Sequence, residues 1–217
     1  MSKQKKKKRR SRFLPWLCVT LALMVGSFFV GRWAGIESTR FHGTILLVNE
    51  SHPLKQDYEP EGLVNLFTQR HSFRLASSEI YLTWETYSAA QEMFAAAEAE
   101  DVNGFIITSG YRSWERQQEI YNESEPGLAQ KPGCSEHQTG LSFDVTAENS
   151  GDGFESTRQY AWLMANCWKY GFIQRYPANK SDITGISYEP WHYRYVGKEA
   201  AKAIVESGLT LEEFTAR

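Results

Sequence analysis

The sequence contains few of the residues that build thiol-based sites. Its three cysteines stand at positions 18, 134 and 167, and no two of them form a CxxC pair, which excludes a zinc cluster held by thiolates. Cys134 and Cys167 are compatible with a disulfide in an exported domain or with two small buried residues. From Glu37 onward the sequence also lacks the GxSxG and SxxK patterns of serine hydrolases. That absence argues against a serine nucleophile.

Acidic residues are missing from the first 36 positions of the chain. Residues 3–12 read KQKKKKRRSR and carry eight positive charges, whereas residues 13–31 (FLPWLCVTLALMVGSFFVG) carry no charge. This uncharged run approaches the ~20 residues that a helix needs to cross a bilayer. Because flanking lysines and arginines stay on the cytoplasmic side, the remainder of the chain is predicted to lie outside the cytoplasm.

These patterns divide the chain into four predicted segments: a basic cytoplasmic arm at 1–12, a transmembrane anchor at 13–36, a connector at 37–43 and an extracytoplasmic domain at 44–217. The prediction is thus a single-pass protein of the cell membrane. A cleaved signal peptide is the alternative, with Trp33-Ala34-Gly35 as its cleavage site. The apolar run is longer than the roughly 7–15 residues of a cleavable signal's core. Both interpretations place the domain outside the cytoplasm.

Positive charge is scarce in the predicted domain. Nine of the 24 basic residues precede Glu37, which leaves 15 basic residues against all 26 acidic residues and a net charge near −11. Proteins that bind nucleic acids carry a basic patch or stripe instead. The charge therefore argues against nucleic acid as a partner.

The domain shows helical and strand-like patterns without the regular alternation of a parallel α/β fold. Helical patterns cover 83–100, 113–122, 156–170 and 198–206, and β-rich runs cover 45–49, 105–109, 141–147 and 191–196. Residues 54–75 are polar and mixed, which is typical of loops with short pieces of regular structure. This organisation predicts an α+β domain.

Two of the five histidines, His137 and His192, lie in segments with a carboxylate at a spacing that suits a metal site. His137 precedes Asp144 by seven residues with Gly140 between them, which suits a loop followed by an inward-facing strand residue. On a helix the same spacing would separate the two by ~10 Å. With His192 they offer two imidazoles and a carboxylate, the ligand set of a zinc site with an open fourth position. Glu189 is three residues before His192, where it is placed to take a proton from a zinc-activated water. Either histidine alone would more often be an ordinary core or surface residue.

The segments around these residues resemble the signature of the VanY-type D-alanyl-D-alanine carboxypeptidases. That signature is Ser-x-His-x-x-Gly-x-Ala-x-Asp, followed far downstream by Glu-x-x-His, and it appears here as SEHQTGLSFD (135–144) and EPWH (189–192). The similarity extends over roughly residues 45–205 and includes SGYRS (109–113). Ser142 is a departure, because the family has alanine there. On a strand this serine would share the face of Asp144 and is placed to hydrogen-bond it.

The resemblance implies a catalytic role for five positions. His137, Asp144 and His192 correspond to the ligands of one Zn²⁺ per chain. Glu189 corresponds to the catalytic base, which delivers the proton of the attacking water to the leaving amine. Arg112 corresponds to the arginine that holds the substrate and stabilises the tetrahedral intermediate, a task that suits the rigid fork of guanidinium donors.

The resemblance also implies a substrate pocket and a fold. The matching pocket positions are Gln117, Ser135, Tyr176 and Trp191. The implied fold is hedgehog/D,D-peptidase-like, with a small mixed or antiparallel sheet flanked by helices. The residues themselves leave other interpretations open, namely a surface salt bridge for Arg112, a cap of local backbone amides for Ser135 and plain core for Trp191.

The activity implied by the resemblance is removal of the C-terminal D-alanine from peptidoglycan pentapeptide stems by a zinc-dependent D,D-carboxypeptidase. Its substrates would be stem peptides or lipid-linked precursors, and their trimming would destroy the binding site of glycopeptide antibiotics. One alternative is an L,D-carboxypeptidase that acts on tetrapeptide stems. Alternatives from other classes are a catalytically inactive peptidoglycan-binding domain and a hydrolase that uses Ser135 or Cys134 beside His137.

Overall fold

Seven strands and six helices form the part of the chain that the computed structural model describes, which is residues 43–125, 128–151 and 153–216. The strands are β1 (Leu63–Asn65), β2 (Arg74–Leu75), β3 (Tyr81–Thr83), β4 (Phe105–Ser109), β5 (Ser142–Ala147), β6 (Phe172–Tyr176) and β7 (Glu189–Tyr195). The helices are α1 (Trp84–Ala99), α2 (Trp114–Glu123), α3 (Arg158–Asn166), α4 (Ser181–Thr184), α5 (Lys198–Ser207) and α6 (Leu211–Thr215). Short 3-10 turns lie at Gly43–Ile45, Leu66–Thr68, Glu136–Thr139, Phe154–Ser156 and Cys167–Tyr170.

The predicted basic arm at 1–12 and transmembrane anchor at 13–36 lie outside the described residues, as does the connector at 37–43 except for its last residue. A compact unit begins at Gly43, one residue before the predicted start of the domain. None of the helices that the structure describes is both long enough and apolar enough to cross a bilayer.

A five-stranded sheet with the order β2-β4-β5-β7-β6 forms the centre of the domain. The β2 strand runs parallel to β4, and every other neighbouring pair is antiparallel. A separate antiparallel pair is formed by β1 and β3. The prediction of an α+β domain with a small mixed sheet flanked by helices is therefore confirmed.

Most predicted elements are present, with boundaries set by local hydrogen bonds. The helices at 83–100 and 113–122 begin after Thr83 and Ser113, whose hydroxyl oxygens accept hydrogen bonds from the Thr86 and Arg116 amides. Such N-caps satisfy donors that a helix leaves unpaired at its start. The pattern at 156–170 forms α3 and then a 3-10 turn. The strand predicted around 191–196 begins earlier, because Glu189 pairs with Tyr176 of β6.

The prediction of a strand at 45–49 is wrong. Gly43–Ile45 form a 3-10 turn, and an isolated bridge joins Asn49 to His52. The apolar residues of this run still pack in the interior, because Ile45 and Leu47 lie against the cluster that contains Ile173 and Ile204. The segment thus packs against the domain through its side chains without joining the sheet.

The two faces of the central sheet have different surroundings. Phe143 of β5 pairs with Tyr193 of β7, and both belong to the larger hydrophobic core. The next pair along the ladder, Asp144 and His192, points to the opposite face because side chains alternate on a strand. One face therefore provides packing, and the other carries the candidate active site.

Aromatic rings fill the packing face. Phe94 of α1 lies 4.8 Å from Phe105 and 5.9 Å from Phe143, measured between ring centroids. Phe143 in turn contacts Phe172 at 5.3 Å. Phe143 therefore points away from the candidate metal site, and its side chain is fully buried in that core.

Gly110 is a position where the backbone approaches another strand too closely for a side chain. A Cβ atom there would collide with the carbonyl oxygen of Tyr81 and press against Ile80. We expect Gly110→Ala to lower the free energy of unfolding by about 1–3 kcal/mol, the usual range for overpacking, as measured by urea denaturation. Gly151→Ala is the control, because a Cβ at that position meets no heavy atom within 4 Å. Equal stability losses in the two variants would contradict the prediction.

Cys134 and Cys167 are free and buried thiols. Cys167 belongs to the larger core, and burial raises the pKa of its thiol to about 12. This arrangement favours the interpretation of both residues as small buried side chains over a disulfide.

Candidate active site

The three candidate metal ligands come from one turn and two neighbouring strands. His137 lies in the 3-10 turn Glu136–Thr139, which ends at Gly140 in a left-handed conformation with φ 65°. Glycine adopts this conformation without the steric cost that other residues incur. The chain then enters β5 and places Asp144 directly opposite His192 of β7. The spacing that suggested a loop residue followed by a strand residue therefore describes the local structure correctly.

The side chains of these three residues converge. One potential ligand atom from each of them lies within 4.8 Å of the other two. Asp144 is central, with Oδ2 at 3.3 Å from His137 Nε2 and Oδ1 at 2.9 Å from His192 Nδ1. The two imidazole rings are nearly perpendicular, at 87°, with their centroids 4.9 Å apart.

The orientation of His137 is fixed by a backbone contact. Its Nδ1 lies 2.7 Å from the carbonyl oxygen of Gly110. Because a carbonyl oxygen only accepts hydrogen bonds, Nδ1 is the donor, and the lone pair of a neutral ring is left on Nε2. That nitrogen is the one that faces Asp144. A hydrogen bond of this kind is typical of histidines that bind metals.

Burial and charge act together on the three groups. Burial alone would raise the pKa of Asp144, but the neighbouring His137 and His192 bring it far below its usual value. Burial lowers the pKa of His137. For His192, burial acts in the same direction, but the hydrogen bond to Asp144 and the nearby Glu136 carboxylate raise the pKa to about 9. The site therefore combines an ionised carboxylate with one imidazole whose positive charge is disfavoured, that of His137, and one whose positive charge is favoured, that of His192.

The donor set fits the zinc ion that the resemblance implies. Two imidazole nitrogens and one carboxylate oxygen are ligands that zinc accepts, and three protein ligands are typical of its catalytic sites. All three side chains are largely withdrawn from solvent, with exposed side-chain fractions of 6% for His137, 14% for Asp144 and 4% for His192. The described residues hold no other cluster of this kind.

Glu189 and Arg112 lie beside the cluster. The Glu189 Oε2 atom is 3.8 Å from His192 Nδ1, and 28% of its side chain is exposed to the cleft. Burial raises the pKa of Glu189, and His192 opposes this effect. Arg112 Nη2 contacts Asp144 Oδ2 at 3.3 Å and Ser109 Oγ at 3.0 Å. A carboxyl group and a guanidinium group thus border the candidate metal site.

A cleft of about 280 Å³ opens onto these groups. All nine residues assigned to the site from the sequence line it: Arg112, Gln117, Ser135, His137, Asp144, Tyr176, Glu189, Trp191 and His192. Apolar side chains, among them Ile120, Leu128 and Ile186, complete the lining. The lining thus combines apolar side chains with a small set of charged and polar ones, as ligand sites do.

The pocket positions differ in how firmly they are held. Gln117 is buried, and its side chain contacts Arg112 Nη1 at 3.4 Å and the Gln130 carbonyl oxygen at 2.7 Å. Ser135 occupies the N-cap position of the turn that carries His137, but its hydroxyl makes no cap hydrogen bond. Trp191 is 42% exposed, so its interpretation as plain core is wrong.

Tyr176 forms one wall of the site. Its ring centroid lies 5.0 Å from that of His192. The guanidinium carbon of Arg175 lies 4.8 Å from the same Tyr176 ring centroid. Burial raises the pKa of the Tyr176 phenol well above its usual value. This side chain is therefore neutral at physiological pH.

The expected hydrogen bond between Ser142 and Asp144 is not formed. The Ser142 hydroxyl is fully buried, and it has no hydrogen-bond partner among the described residues. Asp144 instead uses its two oxygens for His137, His192 and Arg112. Serine is accommodated at this family alanine position, but it contributes nothing to holding the ligand.

A buried charged group beside the site was not found from the sequence. Glu136 is completely buried next to His137 and contacts Arg175 and Arg194. The available signal was the presence of charged residues inside the apolar strands FIQRY and EPWHYRY. A charge in such a position requires a buried partner, although the sequence does not indicate which residue provides it.

The chain matches a known family across this region. The family model described as VanY, D-alanyl-D-alanine carboxypeptidase, matches residues 79–198, and this range contains the three candidate ligands, Glu189 and Arg112. The D-alanyl-D-alanine carboxypeptidase of Enterococcus faecium is 38% identical over 181 residues, which are 82% of this chain and 59% of that enzyme.

Solved structures resemble the chain over a similar extent. The LdcB LD-carboxypeptidase is 41% identical with a TM-score of 0.71, and the match covers 79% of this chain and 86% of that one. A vancomycin-resistance D,D-pentapeptidase, a VanY mutant in complex with Zn(II), is 36% identical with a TM-score of 0.65. That match covers 79% of this chain and 98% of the other.

Proposed function

The chain belongs to the VanY family of D-alanyl-D-alanine carboxypeptidases and is a metallocarboxypeptidase, and we propose that it removes the C-terminal D-alanine from peptidoglycan pentapeptide stems in a zinc-dependent reaction. The observation that carries this proposal is the convergence of His137, Asp144 and His192 beside Glu189 in a cleft. A solved VanY relative in complex with Zn(II) supports the choice of metal.

His137, Asp144 and His192 would hold the zinc ion. The atoms that face one another there are His137 Nε2, His192 Nδ1 and the two Asp144 carboxylate oxygens, and the Gly110 carbonyl engages the other nitrogen of His137. When bound, zinc in such a site polarises a carbonyl group and lowers the pKa of water to about 7.

Glu189 moves the proton in the proposed reaction. Its carboxylate accepts a proton from the attacking water and transfers it to the amine of the departing D-alanine, so that the peptide bond is exchanged for a carboxylate and a free amine. The raised pKa of Glu189, caused by burial, brings this group nearer to the working pH of a general acid and base. Its partial exposure leaves it accessible from the cleft.

Arg112 binds negative charge of the substrate. Ser109, Gln117 and Asp144 hold its guanidinium in place before any substrate arrives. Donors oriented in advance stabilise developing charge without having to reorganise during the reaction. This support distinguishes Arg112 from an exposed arginine in a surface salt bridge.

Cleavage of tetrapeptide stems is the second candidate function. The similarity to the LdcB LD-carboxypeptidase, at 41% identity and a TM-score of 0.71, supports this second function. The similarity to D,D-carboxypeptidases supports the first function in the same way. Both reactions use the same metal ligands and the same base. They differ in the stereochemistry and length of the stem that the cleft accepts.

The proposal places the reaction outside the cytoplasm, at the cell membrane. Support comes from the sequence of residues 3–31, where a basic run precedes an uncharged run of membrane-spanning length. An enzyme held there would meet stem peptides and lipid-linked precursors as they are exported.

Incubation of the purified full-length protein with pentapeptide and tetrapeptide muropeptides tests the proposal. We expect zinc-dependent loss of one alanine from the pentapeptide alone, observed as a change in product mass and prevented by a chelator. Loss from the tetrapeptide alone would identify the L,D activity. If neither is cleaved by protein with zinc bound, the carboxypeptidase proposal is wrong, and a peptidoglycan-binding role becomes the next hypothesis.

A further inference from the structure

Glu136 is a buried carboxylate beside the candidate metal site. Its side chain is 0% exposed. One oxygen, Oε1, accepts hydrogen bonds from Arg175 Nε at 2.7 Å and from Arg194 Nη1 at 2.8 Å. Both donors are guanidinium groups, which keep their protons and positive charge. Glu136 therefore pairs with them as a carboxylate that accepts hydrogen bonds and donates none.

The second oxygen of Glu136 faces a metal-ligand candidate. Glu136 Oε2 lies 3.5 Å from His192 Nε2. Both atoms are buried, and within the described ranges neither has a hydrogen bond to any other group. Since the carboxylate can only accept, His192 Nε2 must carry a proton for this contact to be attractive. The other ring nitrogen, Nδ1, faces Asp144.

The position of Glu136 is fixed from two sides. Arg175 binds Glu212 of α6 through both terminal nitrogens, with Nη1 at 2.8 Å from Oε2. Arg194 Nη2 donates to the carbonyl oxygens of Thr44 and Leu46, at 3.0 and 2.7 Å. Two carboxylates and two guanidinium groups balance in charge, so the network leaves no net charge buried behind the site.

We propose that Glu136 is a positioning residue that keeps His192 protonated at Nε2 and directs the lone pair of Nδ1 towards the metal. The inference rests on the proposed metal site and adds a residue behind it. Carboxylates that contact the far nitrogen of a ligating histidine orient the ring and raise its basicity, and losing them typically weakens metal binding about 10–100-fold. Glu136 also ties His192 to α6 and to the segment at Thr44 and Leu46.

Glu136→Gln tests the proposal because it changes hydrogen bonding with little change in shape. If the amide oxygen still accepts hydrogen bonds from Arg175 and Arg194, the NH₂ group faces His192 Nε2 and favours the tautomer with the proton on Nδ1. If the amide is reversed, its NH₂ group opposes the donors of Arg175 and Arg194. In the reversed orientation the amide oxygen would still accept from His192 Nε2, but the clash with the two guanidinium groups disfavours it. The first orientation, in which Nδ1 is no longer free, is therefore expected.

The experiment measures zinc affinity of the full-length protein by competition with a chromophoric chelator, together with thermal melting. We expect Glu136→Gln to bind zinc about 10–100-fold more weakly than the wild type. Glu212→Gln is the matched control, because it removes one charge from the same network without touching His192. A purely structural role predicts that the two variants lose zinc affinity only in proportion to their lost stability. Unchanged zinc affinity in Glu136→Gln would overturn the proposal.

A second measurement tests the proposal if Glu136→Gln does not fold. In ¹⁵N-histidine-labelled wild-type protein loaded with zinc, the nitrogen resonances of His192 should show a protonated Nε2 and a metal-bound Nδ1. The reverse assignment would overturn the proposal, while the proposed function would stand. Failure of the wild type to bind zinc would instead overturn the proposed function, and with it this inference.

Discussion

Replacing Glu189 by glutamine is expected to lower kcat for pentapeptide cleavage by about 10²–10⁴-fold, the usual contribution of a general acid or base. Glutamine has nearly the same shape but cannot accept a proton from water. Glu189 contacts His192 only at 3.8 Å, so zinc binding should remain at one ion per chain. The measurement is steady-state kinetics with zinc-loaded protein, alongside metal analysis.

Glu119→Gln is the control for this prediction. Glu119 lies on α2, is exposed and pairs with Arg116, and surface pairs of this kind contribute only about 0–1 kcal/mol. Its activity should equal that of the wild type. If Glu189→Gln retains more than a tenth of the wild-type kcat while fully loaded with zinc, another group must accept the proton.

Arg112→Lys is expected to reduce kcat/KM by about 10²–10³-fold, comparable to the loss of a donor that stabilises an oxyanion. Lysine keeps the positive charge but lacks the rigid fork of donors. The Arg112 guanidinium is held by Ser109 and Gln117 in addition to Asp144, and an ammonium group cannot make all of these contacts at once. Kinetics with the pentapeptide substrate, at full zinc occupancy, measures the effect.

The neighbouring Arg116 provides a matched comparison for Arg112. Its side chain is 59% exposed and pairs with Glu119. Arg116→Lys should therefore leave kcat/KM unchanged. A similar result for Arg112→Lys would mean that the guanidinium serves only as a partner of Asp144, and that substrate charge is bound elsewhere.

The part of the candidate site from His137 to Asp144 could be predicted because its information is local, whereas the family resemblance was needed to assign His192, Glu189 and Arg112 to it. The spacing from His137 through Gly140 to Asp144 describes a turn followed by a strand, and the structure has this arrangement. The alternation of side chains along β5 also separates Asp144 from Phe143 correctly. Short-range backbone geometry determines both features, so sequence patterns indicate them.

Features that depend on distant partners could not be predicted. Glu136 is 39 residues from Arg175 and 58 from Arg194, and no local pattern indicates that the three meet. The run at 45–49 was misassigned for a related reason. Its apolar residues are buried or partly buried, but the carbonyl oxygen of Leu46 accepts from the Arg194 side chain instead of a neighbouring strand.

Along β5 and β7 of the central sheet, residues that stabilise the fold alternate with residues of the candidate metal site. In β5 and β7, Phe143 and Tyr193 belong to the packing core, whereas Asp144 and His192 belong to the candidate metal site. Adjacent codons are therefore subject to different selective pressures. A substitution at Phe143 or Tyr193 is thus selected through its effect on folding, and one at Asp144 or His192 through its effect on metal binding.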